Sequence, residues 1–409
     1  MSDSPARVPA GVVSALGITQ IIGYGTLYYS FGILAPGMAR DLGLSLEQVF
    51  AVFSASLFVG GLSAPFVGRW MDRIGAATVM TLGSALSAVT LVLCAWSPSV
   101  LLFAAAIVLL EVASGMVQYQ AAFAALVESR PQAASRSITY LTLIGGFAST
   151  IFWPIAAGLN ETFSWREIYV AFAGLNLLFC MPLHFWIMRH GKAEAARGVT
   201  SVRAPVTGAL RPERRRRGMF LVSLAFALQG FTLSAILAHM VPMLGVIGLG
   251  GAAVAVGALF GPSQVMSRLI NMVAGARVTP PVLAILSAIL MVLGILVLSV
   301  SGNWLPGAVV FAVCLGLGSG INSIAQGSLP LWLFGSEGYG AMTGKMAAAR
   351  LAAGAAAPFA FAMLMQGAGV SLALGANAAL GTAAIVVFAA LAYLSSRTAA
   401  KDGKMASPE

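Results

Sequence analysis

Long apolar runs alternate along the chain with short clusters of charge, proline and glycine, and each run has the roughly 20 residues a helix needs to cross a bilayer. Twelve such runs are present: 11–36, 47–68, 77–96, 99–127, 138–159 and 168–188 in the first half, then 219–244, 251–270, 280–301, 305–334, 346–367 and 371–395 in the second. They are apolar almost without interruption, which suits helices in lipid, where each backbone N–H and C=O must be satisfied within its own segment. A transmembrane barrel would show short alternating strands instead. The pattern predicts an all-α membrane protein: a tail at 1–10, a six-helix bundle at 11–189, a basic linker at 190–218, a second six-helix bundle at 219–395 and a tail at 396–409.

Composition agrees. Hydrophobic residues make up 59% and charged residues 9%, against about 45–50% and about 25% for soluble domains. The formal charge of +10 would suggest a polyanionic partner in a soluble chain, but its distribution gives it another meaning. With the N-terminus in the cytoplasm, Arg7, Arg69, Arg73, Arg130, Arg136, the linker cluster Arg211 to Arg217, Arg268, Arg277, Lys345, Arg350, Arg397, Lys401 and Lys404 fall inside, and only Arg40 and Arg166 fall outside. That asymmetry sets topology, and the arginine-rich linker is expected to touch anionic headgroups. No nucleic-acid partner is implied. Cys94, Cys180 and Cys314 are isolated within apolar runs and form neither a disulfide framework nor a metal-ligand set. The first run lacks a small-residue cleavage site, so it is expected to remain as a span.

A weak repeat relates the halves. Thr26-Leu27 and Pro36 correspond to Thr232-Leu233 and Pro242, and Ser114-Gly115 corresponds to Ser319-Gly320. Paired six-helix halves are the pattern of transporters built from repeats. Between spans two and three stands Gly68-Arg69-Trp70-Met71-Asp72-Arg73-Ile74-Gly75. It fits the G-x-x-x-D-R-x-G signature of the major facilitator superfamily, which the chain resembles from the first span to the twelfth, although Ala76 and Ala77 replace the basic pair that often follows. In that family the loop works as a cytoplasmic-side latch, which implies gating roles for Gly68, Asp72, Arg73 and Gly75. Ser267-Arg268-Leu269-Ile270-Asn271 resembles a decayed second copy. Ser164-Trp165-Arg166, and Trp153-Pro154 with Gly158, resemble other family motifs. Gly23-Tyr24-Gly25 with Tyr28-Tyr29 is similar to monocarboxylate and oxalate/formate-type carriers.

The resemblance places spans one, four, seven and ten around a central pathway, so their polar residues are the candidates for solute contact. Gln20, Tyr24 and Tyr28 recur at helical spacing in span one. Span four adds Gln118; span seven adds Gln229, Thr232 and His239; span ten adds Ser319, Asn322, Ser323 and Gln326. The competing role for each is interhelical hydrogen bonding, worth about 0.6 kcal/mol on average. Glu111 is the one carboxylate well inside a span, at the spacing from Gly115 where the family often carries an arginine. Buried acids are costly and tend to face a bundle interior or water. Glu111 is therefore expected either to load and release a proton during transport or to stay protonated as a structural residue. Arg268 also has two readings: an anchor for an organic anion, or a latch remnant, in which case a neutral or cationic cargo follows.

Secondary transport of a small organic solute by alternating access, coupled to protons, is the function these residues predict, with a carboxylate or an aromatic-bodied metabolite such as a vitamin as cargo. A drug or toxicant efflux antiporter and a non-transporting sensor are the alternatives. No H-E-x-x-H, G-x-S-x-G or Walker motif is present, so neither an enzyme nor an ATPase is expected. No cofactor or metal is expected. The chain is expected to act as a monomer in a bacterial inner membrane, with both termini in the cytoplasm and lipid around it.

Overall fold

The computed structural model describes residues 8–196, 205–274 and 278–405; Arg7 and Arg277 lie outside them, as do the side chains of Arg397, Lys401 and Lys404. Twelve helices are long and apolar enough to cross a membrane. They are α1 (Ala10–Leu42), α2 (Leu46–Ile74), α3 (Ala76–Ala95), α4 (Val100–Ser129), α5 (Pro131–Thr162) and α6 (Trp165–Glu194), then α7 (Pro212–Leu249), α8 (Ala252–Val273), α9 (Pro280–Ser301), α10 (Leu305–Phe334), α11 (Tyr339–Ala368) and α12 (Val370–Ser395). The only β pairing among the described residues is an isolated bridge between Thr207 and Gly335.

Local chemistry sets several boundaries. Ser45 and Gln48 form a reciprocal capping box at the start of α2, and Ser164 and Glu167 form another at α6. Each box satisfies two backbone donors that a helix start would otherwise leave open. Pro281 and Pro306 occupy the first turns of α9 and α10, where a missing N–H is harmless. Those two helices match the expected ranges at both ends. Others are longer: α1 runs through Pro36 to Leu42, and α11 begins at Tyr339, ahead of Lys345. Charge marks where apolar sequence stops, but a helix continues into the interface until a cap or glycine ends it, as Gly43 does after α1 with φ 65°.

The chain divides into two compact units, Met1–Val206 with Ser336–Ala348, and Thr207–Gly335 with Ala349–Glu409. Each unit ties its last span to its first through an asparagine. In the first unit Asn176 of α6 donates to Thr26 Oγ1 of α1 at 3.0 Å. In the second, Asn377 of α12 donates to the backbone oxygen of Thr232 on α7 at 3.2 Å. Leu62, Phe66, Leu101 and Val300 face outward, as a lipid-solvated surface allows. The linker caps helix ends of the second unit: Ala209 and Leu210 N–H donate to Trp332 O and Leu333 O, and the Arg215 guanidinium donates to Phe334 O at 2.7 Å. Arg214 donates likewise to Leu394 O at 3.0 Å. Arg216 and Arg217 remain exposed.

Candidate functional site

In the first unit the site forms around an interruption of α4. Gln118 is extended (φ −78°, ψ −170°), so α4 consists of a segment Val100–Val117 followed by a segment Tyr119–Ser129. The break frees the carbonyl of Val117, which accepts from Gln20 Nε2 of α1 at 2.8 Å. One turn along α1, the ring of Tyr24 lies 4.8 Å from that of Tyr119, whose hydroxyl donates to Thr142 O of α5 at 3.4 Å. Gln20, Tyr24 and Gln118 therefore belong to one place. Tyr28 does not join them. A π-helical turn at Gly25–Tyr29 inserts an extra residue into the register, so Tyr29 lies beside Tyr24, at 6.2 Å. Tyr28 is 42% exposed and lies near Phe53 of α2.

Glu111 stands seven residues before the break and is only 7% exposed, and its Oε1 has no hydrogen-bond partner. It faces α2 at Gly60, where an added Cβ would lie 3.1 Å from Glu111 Cβ. The absence of a side chain at 60 lets the two backbones close around the carboxyl. Small residues at Ser56 and Ala64 continue that contact face of α2 by one turn in each direction.

In the second unit a polar seam runs between α8 and α10. Gln264 Nε2 donates to Ser319 Oγ at 2.8 Å, and Arg268 Nε donates to Ser323 Oγ at 3.2 Å. Arg268 is 3% exposed and its Nη1 is buried without a partner; Asn322 Oδ1, on the same face of α10, is buried without one as well. Gln326 is half-buried one turn further on. The ion pairs found among the described residues are Arg130–Glu194, Arg166–Asp41 and His190–Glu194. None includes Arg268, which lies in a helix long and apolar enough to cross a membrane and has no ion-pair partner among the described residues. Arg350, assigned above to the cytoplasmic side, is another basic residue inside a helix. It sits eleven residues into α11, about 16 Å along its axis, with its stem against Gly230 of α7. A basic residue bounded by apolar sequence on both sides was the available signal.

The α7 candidates turn inward. Gln229 and Thr232 are fully buried, Gln229 donating to Ser287 of α9 and Thr232 meeting α12. His239 is half-buried, with Nδ1 3.1 Å from Ala235 O and its ring 5.5 Å from that of Phe361. Asn176, Asn377, Gln264 and Tyr119 were not singled out from the sequence. The two asparagines share nearly the repeat spacing and were findable by it.

The signature at the end of α2 is built as a helix cap. Asp72 accepts from the N–H groups of Gly340 and Ala341, both at 2.8 Å, at the positive end of α11. Gly68 and Gly340 meet backbone to backbone, leaving no room for a side chain at either. Gly75 adopts φ 89°, and the next N–H, of Ala76, donates to Glu128 Oε2 at 2.8 Å. Arg73 is exposed and forms no ion pair with Asp72; the carboxylate is engaged by backbone instead. Beside this cap, Glu128, His190, Lys192 and Glu194 line a cavity of about 130 Å³. Glu194 there holds Arg130 through two bonds of 2.8 and 3.0 Å. No group of three or more His, Cys, Asp or Glu placed to hold a metal ion occurs among the described residues.

A sequence profile of the Major Facilitator Superfamily matches residues 16–358. No curated protein sequence matches significantly. Among solved structures, the chain is similar to the human organic anion transporter MFSD10 (TETRAN), with TM-score 0.73 and 15% identity over 93% of this chain and 100% of that one. It is also similar to the proton:xylose symporter XylE bound to 6-bromo-6-deoxy-D-glucose, with TM-score 0.69 and 14% identity over 93% and 95%. The transporter FucP in the outward conformation gives TM-score 0.69 and 14% identity over 93% and 98%. At these identities the likeness is one of fold.

Proposed function

The chain belongs to the major facilitator superfamily, and we propose that it is a secondary active transporter that moves an organic anion and couples that movement to protons. The observation that carries the anion is Arg268, buried on α8 with an unpartnered Nη1 and no ion-pair partner among the described residues. An isolated charge in a low-dielectric bundle is expensive. A carboxylate cargo supplies both the missing charge and acceptors for the unused guanidinium donors, in the geometry arginine favours. Gln264, Asn322 and Gln326 flank it and orient the solute. MFSD10, an organic anion transporter of similar fold, agrees with this reading.

Proton coupling rests on Glu111. A carboxyl with a free oxygen, enclosed by α2 and α4, changes protonation when the packing around it opens to water. The proton:xylose symporter of the same fold is a precedent for such coupling. The basic residues, concentrated on the linker side, support a bacterial inner-membrane orientation with both termini in the cytoplasm.

The test is counterflow in proteoliposomes loaded with a panel of mono- and dicarboxylates, amino acids and neutral sugars. The expected result is saturable exchange confined to carboxylates and lost in Arg268→Gln. Exchange of a neutral sugar that survives Arg268→Gln contradicts the anion reading.

A further inference from the structure

The two Thr–Asn ties of the repeat are wired differently. Thr26 Oγ1 donates to Ile22 O at 2.8 Å and accepts from Asn176 Nδ2, which also donates to Phe172 O at 2.9 Å. That pair is closed. Asn377 Nδ2 instead donates to the backbone oxygen of Thr232, and neither Asn377 Oδ1 nor Thr232 Oγ1 has a partner. One turn earlier on α7, Gln229 Nε2 is held by Ser287 Oγ at 2.7 Å, and Gln229 Oε1 has no partner either. All three side chains are at most 2% exposed.

The three residues pack in one buried region. Gln229 and Thr232 lie on the same face of α7, three residues apart. An added Cβ at Gly381, one turn after Asn377 on α12, would lie 3.7 Å from Thr232 Oγ1 and would also touch Val292 of α9. Val292 follows Met291, whose sulfur is 3.7 Å from Gln229 Nε2. The cluster therefore sits where α7, α9 and α12 meet.

We propose that Gln229 Oε1, Thr232 Oγ1 and Asn377 Oδ1 form a binding site for a sodium ion in the second unit. Buried acceptors are rarely left unpaired, and an ion or water is the usual explanation when they are. Here both amide N–H₂ groups are held, on Ser287 and on the Thr232 carbonyl, so each amide oxygen is the end left without a partner. Converging neutral oxygens replace the hydration shell of an alkali ion in the way carbonyl rings do in channels. No carboxylate belongs to the cluster, so a second positive charge would be uncompensated and a monovalent ion is selected. The closed Thr26–Asn176 pair shows that this scaffold can satisfy the same two residue types internally. The open arrangement is specific to the second unit.

The test uses the purified full-length chain and the ion alone, and does not depend on the cargo or on Arg268. Thermal unfolding is followed in sodium, potassium and choline chlorides at matched ionic strength, together with binding of radioactive sodium to the wild type. Sodium is expected to raise Tm saturably by about 4 °C over choline, with potassium far weaker and with bound radioactive sodium displaced by unlabelled sodium. Thr232→Val, nearly isosteric, and Asn377→Leu are expected to abolish the sodium-dependent rise, whatever their own Tm in choline. Thr26→Val is expected to keep it. Equal Tm in all three salts with no displaceable sodium leaves only a buried water in the cluster and overturns the proposal. A full sodium response in Thr232→Val and Asn377→Leu overturns it too.

Discussion

Each unit has a polar tie between its last span and its first, and yet the two enclose opposite charges. The first encloses an acid, Glu111, between α2 and α4, beside a helix interrupted at Gln118. The second encloses a base, Arg268, between α8 and α10, where the helices stay close through Gly316 and Gly320. Under the proposed function this difference is a division of labour: proton handling in the first unit, anion handling in the second.

The largest expected effect breaks that division at the base. Arg268→Gln should lower kcat/KM for carboxylate uptake by about 100-fold, equivalent to about 3 kcal/mol, within the range for truncating one partner of a buried charge pair. Arg268→Lys should recover only part, since a point charge cannot reproduce the two-pronged contact. Initial-rate uptake in proteoliposomes reads both. Next comes the acid. Glu111→Gln keeps the shape and removes the titratable proton, so counterflow should persist while accumulation driven by a pH gradient falls to the equilibrium level. Undiminished accumulation would assign Glu111 a purely structural place.

Legibility from sequence followed the physics of each signal. Twelve spans were readable because bilayer thickness fixes their length, and α9 and α10 were readable to the residue because proline and glycine punctuate both ends. Glu111 and Arg268 stood out because charge is rare in such helices. Placement on a face was less legible. Tyr28 left the stripe of Gln20 and Tyr24 because a π-helical turn shifts register without any composition signal. The break at Gln118 was equally silent, since no proline or glycine occupies it. The partner of Asp72 was equally hidden, because it caps α11 through backbone N–H groups contributed from far along the sequence. Arg350 was counted with the cytoplasmic-side cations although it fell within the expected span 346–367, and the helix begins earlier still, at Tyr339.

Smaller effects sharpen the comparison between the ties. Asn176→Ala should lower Tm more than Asn377→Ala, because Asn176 donates to both Thr26 and Phe172 whereas Asn377 makes one longer bond. The difference should be about 1 kcal/mol, the usual worth of one net hydrogen bond. Thermal melts in choline chloride compare the two directly. Smallest is Asp72→Asn, which keeps one acceptor and removes the charge from the end of α11; a loss of about 0.5–1 kcal/mol is expected, seen as a drop in Tm that raised salt narrows.

The most direct test of the division of labour is a side-by-side flux measurement on three reconstituted proteins, with a radiolabelled carboxylate chosen from the counterflow panel and an imposed inward proton gradient. The wild type should accumulate the anion above equilibrium, Glu111→Gln should equilibrate it without accumulation, and Arg268→Gln should move almost none under either condition. If Arg268→Gln accumulates the carboxylate as the wild type does, the second unit's buried base is not the anion anchor and the account fails.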